Sequence, residues 1–100
     1  MTTIDMGGNA RVNDLMQGAE RAAMAGRMDE AARIWGQVLA ASPDHPKALF
    51  YLGQHELHRR DFQAARELFE RAAKGAPKEA GIQLNLSFVY RGLGDVNAEA

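Results

Sequence analysis

Apolar residues recur three or four positions apart along most of this chain. The runs are Leu15, Ala19 and Ala22; Ala31, Ile34, Trp35 and Val38; Leu49 and Leu52; Ala65, Leu68, Phe69 and Ala72; and Ile82, Leu86, Val89 and Leu93. Such spacing keeps one face of a helix apolar, and no alternating run of strand length interrupts it. The pattern predicts helices over residues 12–25, 28–41, 46–59 and 62–75, with a fifth in the stretch that follows. Each is punctuated by residues with a physical reason to be there. Gly26 supplies the left-handed turn that ends a helix, and Asp29-Glu30 puts negative charge at the start of the next. Pro43 cannot continue a helix, Pro46 suits a first turn, and Asp61 is placed to cap the helix after it. Small residues such as Ala19, Ala31, Gly53 and Ala65 let backbones approach, while Trp35, Val38, Leu49, Leu68 and Phe69 fill the space left. Alanine occurs eighteen times and Val, Ile and Thr are scarce, so the fold class is all-α.

The helical pattern repeats. A shift of 34 residues superposes Pro43 on Pro77, Trp35 on Phe69, Ala31 on Ala65, Leu15 on Leu49 and Leu52 on Leu86. The same shift carries residues 26–32 onto 60–66 and 94–100, with Gly26 meeting Arg60 and Gly94, and Asp61 meeting Asp95. This chain resembles the tetratricopeptide repeat (TPR) family, whose unit is a helical hairpin of this length. The middle unit carries the likeness best, with Leu49, Leu52, Gly53, Ala65, Phe69, Ala72 and Pro77 at family positions. The first unit departs at Gly18 and Ala22, the middle at Glu56, and the third at Gln83 and Glu99. The implied architecture is a helical-hairpin solenoid of about two and a half repeats, five helices plus a truncated sixth. Residues 1–11 are expected to be a flexible arm, followed by repeats at 12–45 and 46–79 and a partial one at 80–100.

The resemblance implies a non-catalytic protein–protein interaction module, with the first helix of each hairpin lining a concave groove that binds a peptide or protein segment. Carried over position by position, the groove comprises Met16, Glu20, Lys47, Phe50, Tyr51, Gln54, His58, Asn85, Phe88 and Arg91, with Asn13, Gln17, Met24 and Leu84 beside them. Phe50, Tyr51 and Phe88 offer flat apolar area at low entropic cost, and the methionines adapt to varied shapes. Gln54 and Asn85 suit peptide amides, and Lys47 and Arg91 suit carboxylates. Phe50 and Phe88 are also of the kind that simply packs between helices, and the two cations of the kind that stays solvated. Some TPR domains clamp chaperone C-termini with lysines, arginine and asparagines. Those places here hold Met16, Glu20, Tyr51, Gly81 and Asn85, a set that would repel a carboxylate at Glu20.

Charge and chemistry narrow the picture further. Twelve basic against thirteen acidic residues leave a net charge of −1, which gives no general attraction to nucleic acid or membrane. The absence of cysteine removes disulfides and thiolate chemistry. His55 and His58 share a helix face but lack a ligand spacing, and neither Ser42 nor Ser87 has catalytic partners. No cofactor, metal site or enzyme activity is expected, and the location expected is cytoplasmic, since no spanning stretch or signal-peptide core is present.

The end of the sequence raises a separate expectation. Gly94-Asp95 reads as the start of a further helix, and the stripe Ile82, Leu86, Val89, Tyr90 and Leu93 then lacks the partner that would cover it. Two explanations are open: these residues are the N-terminal part of a larger protein, or the stripe is covered by a second copy in a homodimer. Under the first, alanine-rich TPR hairpins ahead of a catalytic domain are similar to bacterial-type relatives of aspartyl/asparaginyl β-hydroxylases, which would make this a substrate-orienting module of an oxygenase.

Overall fold

The computed structural model describes the backbone of residues 3–99 and the side chains of residues 10–94. Five helices follow one another: α1 (Thr3–Met24), α2 (Met28–Ala41), α3 (Pro46–His58), α4 (Phe62–Gly75) and α5 (Ala80–Glu99). Consecutive helices pack on each other as antiparallel neighbours, and α5 also touches α3. The result is elongated, 55 × 30 × 21 Å.

The two hairpin bends share one hydrogen-bond design. At the end of α1 the Arg27 amide donates to the Ala22 carbonyl (2.8 Å) and the Gly26 amide to Ala23 (3.0 Å). At the end of α3 the Asp61 amide donates to Glu56 (2.9 Å) and the Arg60 amide to Leu57 (3.0 Å). Both are Schellman caps, which place the first of the two adjacent donors in the left-handed region. Gly26 does so at φ 83° and Arg60 at φ 64°. Arginine tolerates the position with its guanidinium 5.3 Å from the Phe62 ring centroid. The next helix is capped at once, with Asp61 accepting from the Ala64 amide at 3.2 Å. At α3 the cap is His45, whose Nδ1 accepts from the Ala48 amide at 3.3 Å, with Pro46 at the first helical position.

The core is two clusters that meet at α3. One joins α1, α2 and α3 through Met16, Ala19, Ala22, Ala31, Trp35, Val38 and Ala48. The other joins α3, α4 and α5 through Leu49, Phe62, Ala65, Phe69, Ala72, Ile82, Leu86 and Val89. Half-buried Leu39 packs against both. Gly53 of α3 leaves room for the Phe69 ring of α4, since a Cβ there would stand 2.9 Å from Phe69 Cζ. Arg71 of α4 ties the hairpins from outside by donating to the Pro43 carbonyl.

Three features differ from the sequence reading. α1 begins at Thr3 rather than at residue 12. The first residues carry no proline, and once residues 12–24 are helical, each added turn needs only propagation. α5 runs unbroken through Gly94-Asp95, so no truncated sixth helix starts there. Finally, the stripe expected to lie open or to form a dimer surface is spent inside the molecule. Ile82, Leu86 and Val89 are 5 %, 6 % and 0 % exposed, and Leu93 is half-buried against the same cluster. Helix α4 is already the partner they need. Tyr90 alone of that set is exposed, with its hydroxyl donating to Glu70 Oε2 at 2.7 Å. Among the described residues no helix is long and apolar enough to cross a membrane.

Candidate binding groove

Helices α1 and α3 occupy the same place in successive hairpins, so residues 34 apart lie side by side along the face between them. Two adjoining hollows open there. The first, about 630 Å³, lies toward the bends, between the end of α1, the start of α2 and the end of α3. The second, about 590 Å³, lies between the middle of α1 and the start of α3. Glu20 lines both.

Of the residues expected in the groove, six are brought together. Glu20, Tyr51, Gln54 and His58 line the first hollow, and Met16, Glu20 and Lys47 the second, with Asn13 and Gln17 beside them. Met16 contributes mainly to the core, at 6 % exposure. The other four lie elsewhere. Phe50 lines neither hollow. Its ring meets Phe69 edge-on at 5.9 Å and packs on the second core cluster, because the adjacent helix leaves space for it at Gly81. Asn85 spends its amide on its own helix, donating to the Gly81 carbonyl at 2.9 Å. Phe88 and Arg91 are exposed on α5, away from both hollows.

The wall of the first hollow also includes residues that position-by-position transfer did not supply: Ala23, Met28, Trp35, His55 and Arg59. Trp35 reads as core from its spacing and is indeed 3 % exposed, yet it belongs to the second helix of its hairpin and still reaches the hollow. The available signal was Ala23, a methyl group where a longer side chain would fill the space. Tyr51 lies against Trp35 with centroids 5.4 Å apart and against Phe50 at 5.8 Å. A continuous run of rings, Trp35–Tyr51–Phe50–Phe69, therefore links the groove wall to both core clusters. Trp35 Nε1 is buried with no hydrogen-bond partner, the only such side-chain atom among the described residues.

Polar groups around the hollow are mostly engaged. His58 Nδ1 donates to the Gln54 carbonyl at 2.8 Å, which leaves its Nε2 outward. Arg59 pairs with Glu56 at 3.3 Å, and His55 Nε2 stands 3.7 Å from Asp29 Oδ1. Among the described residues no group of three or more metal-ligating side chains converges. Outside the groove, the bond from Tyr90 to Glu70 raises the Tyr90 pKa above the usual tyrosine value, with burial and the Glu70 charge adding and Arg66 opposing.

The two hollows combine apolar walls with amide and carboxylate groups at the rim, carried on packed helices. The profile of the tetratricopeptide repeat family matches residues 17–80, from the middle of α1 to the start of α5. No curated protein and no solved structure matches the chain. Repeats of this kind generally mediate protein–protein interactions and are typically non-catalytic. With the profile covering well over half of its length, and with two stacked hairpins closed by a further helix, the chain belongs to the tetratricopeptide repeat family.

Proposed function

We propose that this chain binds a peptide or protein segment in the groove between α1 and α3. The observation that carries the reading is the pair of hollows sharing Glu20, in which Tyr51, Gln54, His58 and Lys47 from α3 face residues of α1. Tyr51 supplies a half-buried ring whose back is held by Trp35 and Phe50, so it contributes contact area with little motion left to lose. Gln54 and Asn13 bring amide groups suited to a main chain, and Lys47 brings a cation suited to a carboxylate at the far end. The ligand's chemistry sets what is bound, and the chain itself performs no reaction.

Capture from an extract of the source cells tests the reading. The immobilised chain is compared with a groove variant, Tyr51→Ala with Gln54→Ala, and with a control on the exposed face of α2, Arg33→Ala with Gln37→Ala. Loss of the captured protein with the first variant and retention with the second is the expected outcome. Unchanged capture by the groove variant would move the binding surface to the other face of the hairpins.

A further inference from the structure

The first hollow differs from the rest of the groove in two ways. Its wall is apolar, with Ala23, Met24, Met28, Trp35 and Tyr51 around a space that holds a large aliphatic or aromatic side chain. Its wall also includes Trp35, whose buried Nε1 is the one orphaned side-chain donor among the described residues.

The charges around it are one-sided in what they leave available. Arg59 is engaged by Glu56 and His55 faces Asp29. Glu20 stands exposed at the mouth shared with the second hollow, and among the described residues it makes no ion pair. A segment that puts an apolar side chain into the hollow therefore passes a free carboxylate as it leaves. An acidic residue there is repelled and a basic one is attracted, which is how rim charges select partners.

Resting on the groove reading above, we propose that the first hollow recognises a leucine-, methionine- or phenylalanine-type side chain of a partner segment that has a lysine or arginine next to it, the apolar group seated against Trp35 and Tyr51 and the cation paired with Glu20. The hollow supplies affinity, and Glu20 supplies the choice between basic and acidic segments.

Trp35 is the only tryptophan of the chain, so its own fluorescence reports occupancy of the hollow. The probe is a set of tryptophan-free peptides selected from a random phage-displayed library on the full chain, each synthesised with its Lys or Arg and again with Glu in that place. The enriched peptides are expected to pair a large apolar residue with a basic neighbour. The change to Glu is expected to weaken binding roughly five- to ten-fold at low salt, less at high salt, as befits an exposed pair. Glu20→Lys, at an exposed position, is expected to reverse the preference with unchanged circular dichroism. Enriched peptides without a basic neighbour, or a Glu20→Lys protein with the same preference as the parent, would overturn the inference while leaving the groove reading intact, provided Tyr51→Ala abolishes binding. Peptide binding indifferent to both Glu20 and Tyr51, or no enrichment at all, would overturn both.

Discussion

Two glycines inside helices give opposite expectations for the same substitution, and the difference rests on one aromatic ring. Replacing a helix-interior glycine with alanine gains about 0.8–1 kcal/mol in propensity wherever the new methyl group is free. At Gly36 in α2 nothing lies within 4 Å of the position a Cβ would take. Gly36→Ala should therefore stabilise the fold by nearly that full amount, about 4–8 °C in Tm for a domain of this size. At Gly53 the Cβ would meet Phe69 Cζ at 2.9 Å, Cε1 at 3.0 Å and Cε2 at 3.1 Å. Carbon atoms rest at about 3.5–4.0 Å, so the ring would have to retreat by roughly half an ångström or more. It has little room to do so, because Phe69 is 0 % exposed and sits in the cluster formed by α3, α4 and α5. Overpacking of this kind costs about 1–3 kcal/mol, which exceeds the propensity gain, so Gly53→Ala should lower stability by roughly 1 kcal/mol. Urea and thermal unfolding followed by far-UV circular dichroism measure both changes. Pairing Gly53→Ala with Phe69→Leu should recover part of the loss, with a coupling of about 0.5 kcal/mol or more in the double-mutant cycle. Equal stabilisation by the two glycine substitutions would refute the close approach of α3 to the Phe69 ring.

Other expectations follow from single contacts. At Arg60, whose φ is 64°, glycine should be more stable than alanine by roughly 1 kcal/mol, since both lose the Phe62 contact and only alanine keeps the left-handed strain; equal unfolding midpoints would contradict this. Asp61→Ala removes the bond to the Ala64 amide and should cost about 1 kcal/mol, whereas Asp61→Asn, which keeps an acceptor, should cost less in the same unfolding assay. Tyr90 is held in its protonated form by Glu70, so its folded pKa lies above the unfolded one. The associated stability is present below the usual tyrosine pKa and is lost as pH rises through the higher folded value. Spectrophotometric titration should show Tyr90 ionising at lower pH in Glu70→Gln than in the parent, and an unchanged curve would remove Glu70 as the cause.

The helices themselves were legible because their boundaries are chemical. Gly26, Pro43, Pro46 and Asp61 each sit within a residue or two of the observed ends, and α2 matches its predicted span of 28–41. Arg60 shows the repeat carrying information that residue type did not: its alignment with Gly26 marks a left-handed cap that arginine alone would not announce. The extensions of α1 and α5 had no such marker, since helix ends without caps depend on propagation and on what packs nearby. In the groove, periodicity assigned residues to helix faces but not to depths. Phe50 and Tyr51 are neighbours, and only the packing of the helices separates the ring that faces the second core from the ring that faces the hollow. Trp35 was invisible as a groove residue because its spacing is that of a core position, which it also is.

Helix α3 belongs to both core clusters, and that dual membership ties occupancy of the groove to cooperativity. In a linear stack each unit is stabilised by its neighbour, so α1 and α2 can open as a pair while α3, α4 and α5 stay closed. The groove needs α1 beside α3, and it vanishes in that partly open form. A ligand seated there holds the seam shut, raising the free energy of opening by RT ln(1 + [L]/Kd), about 2.7 kcal/mol at a hundredfold excess over Kd. Amides of α1 and α2 would then exchange with solvent more slowly, while those of α4 and α5, already limited by their own cluster, would change less. The bound chain would then unfold as one body, whereas the free chain would unravel from its first hairpin.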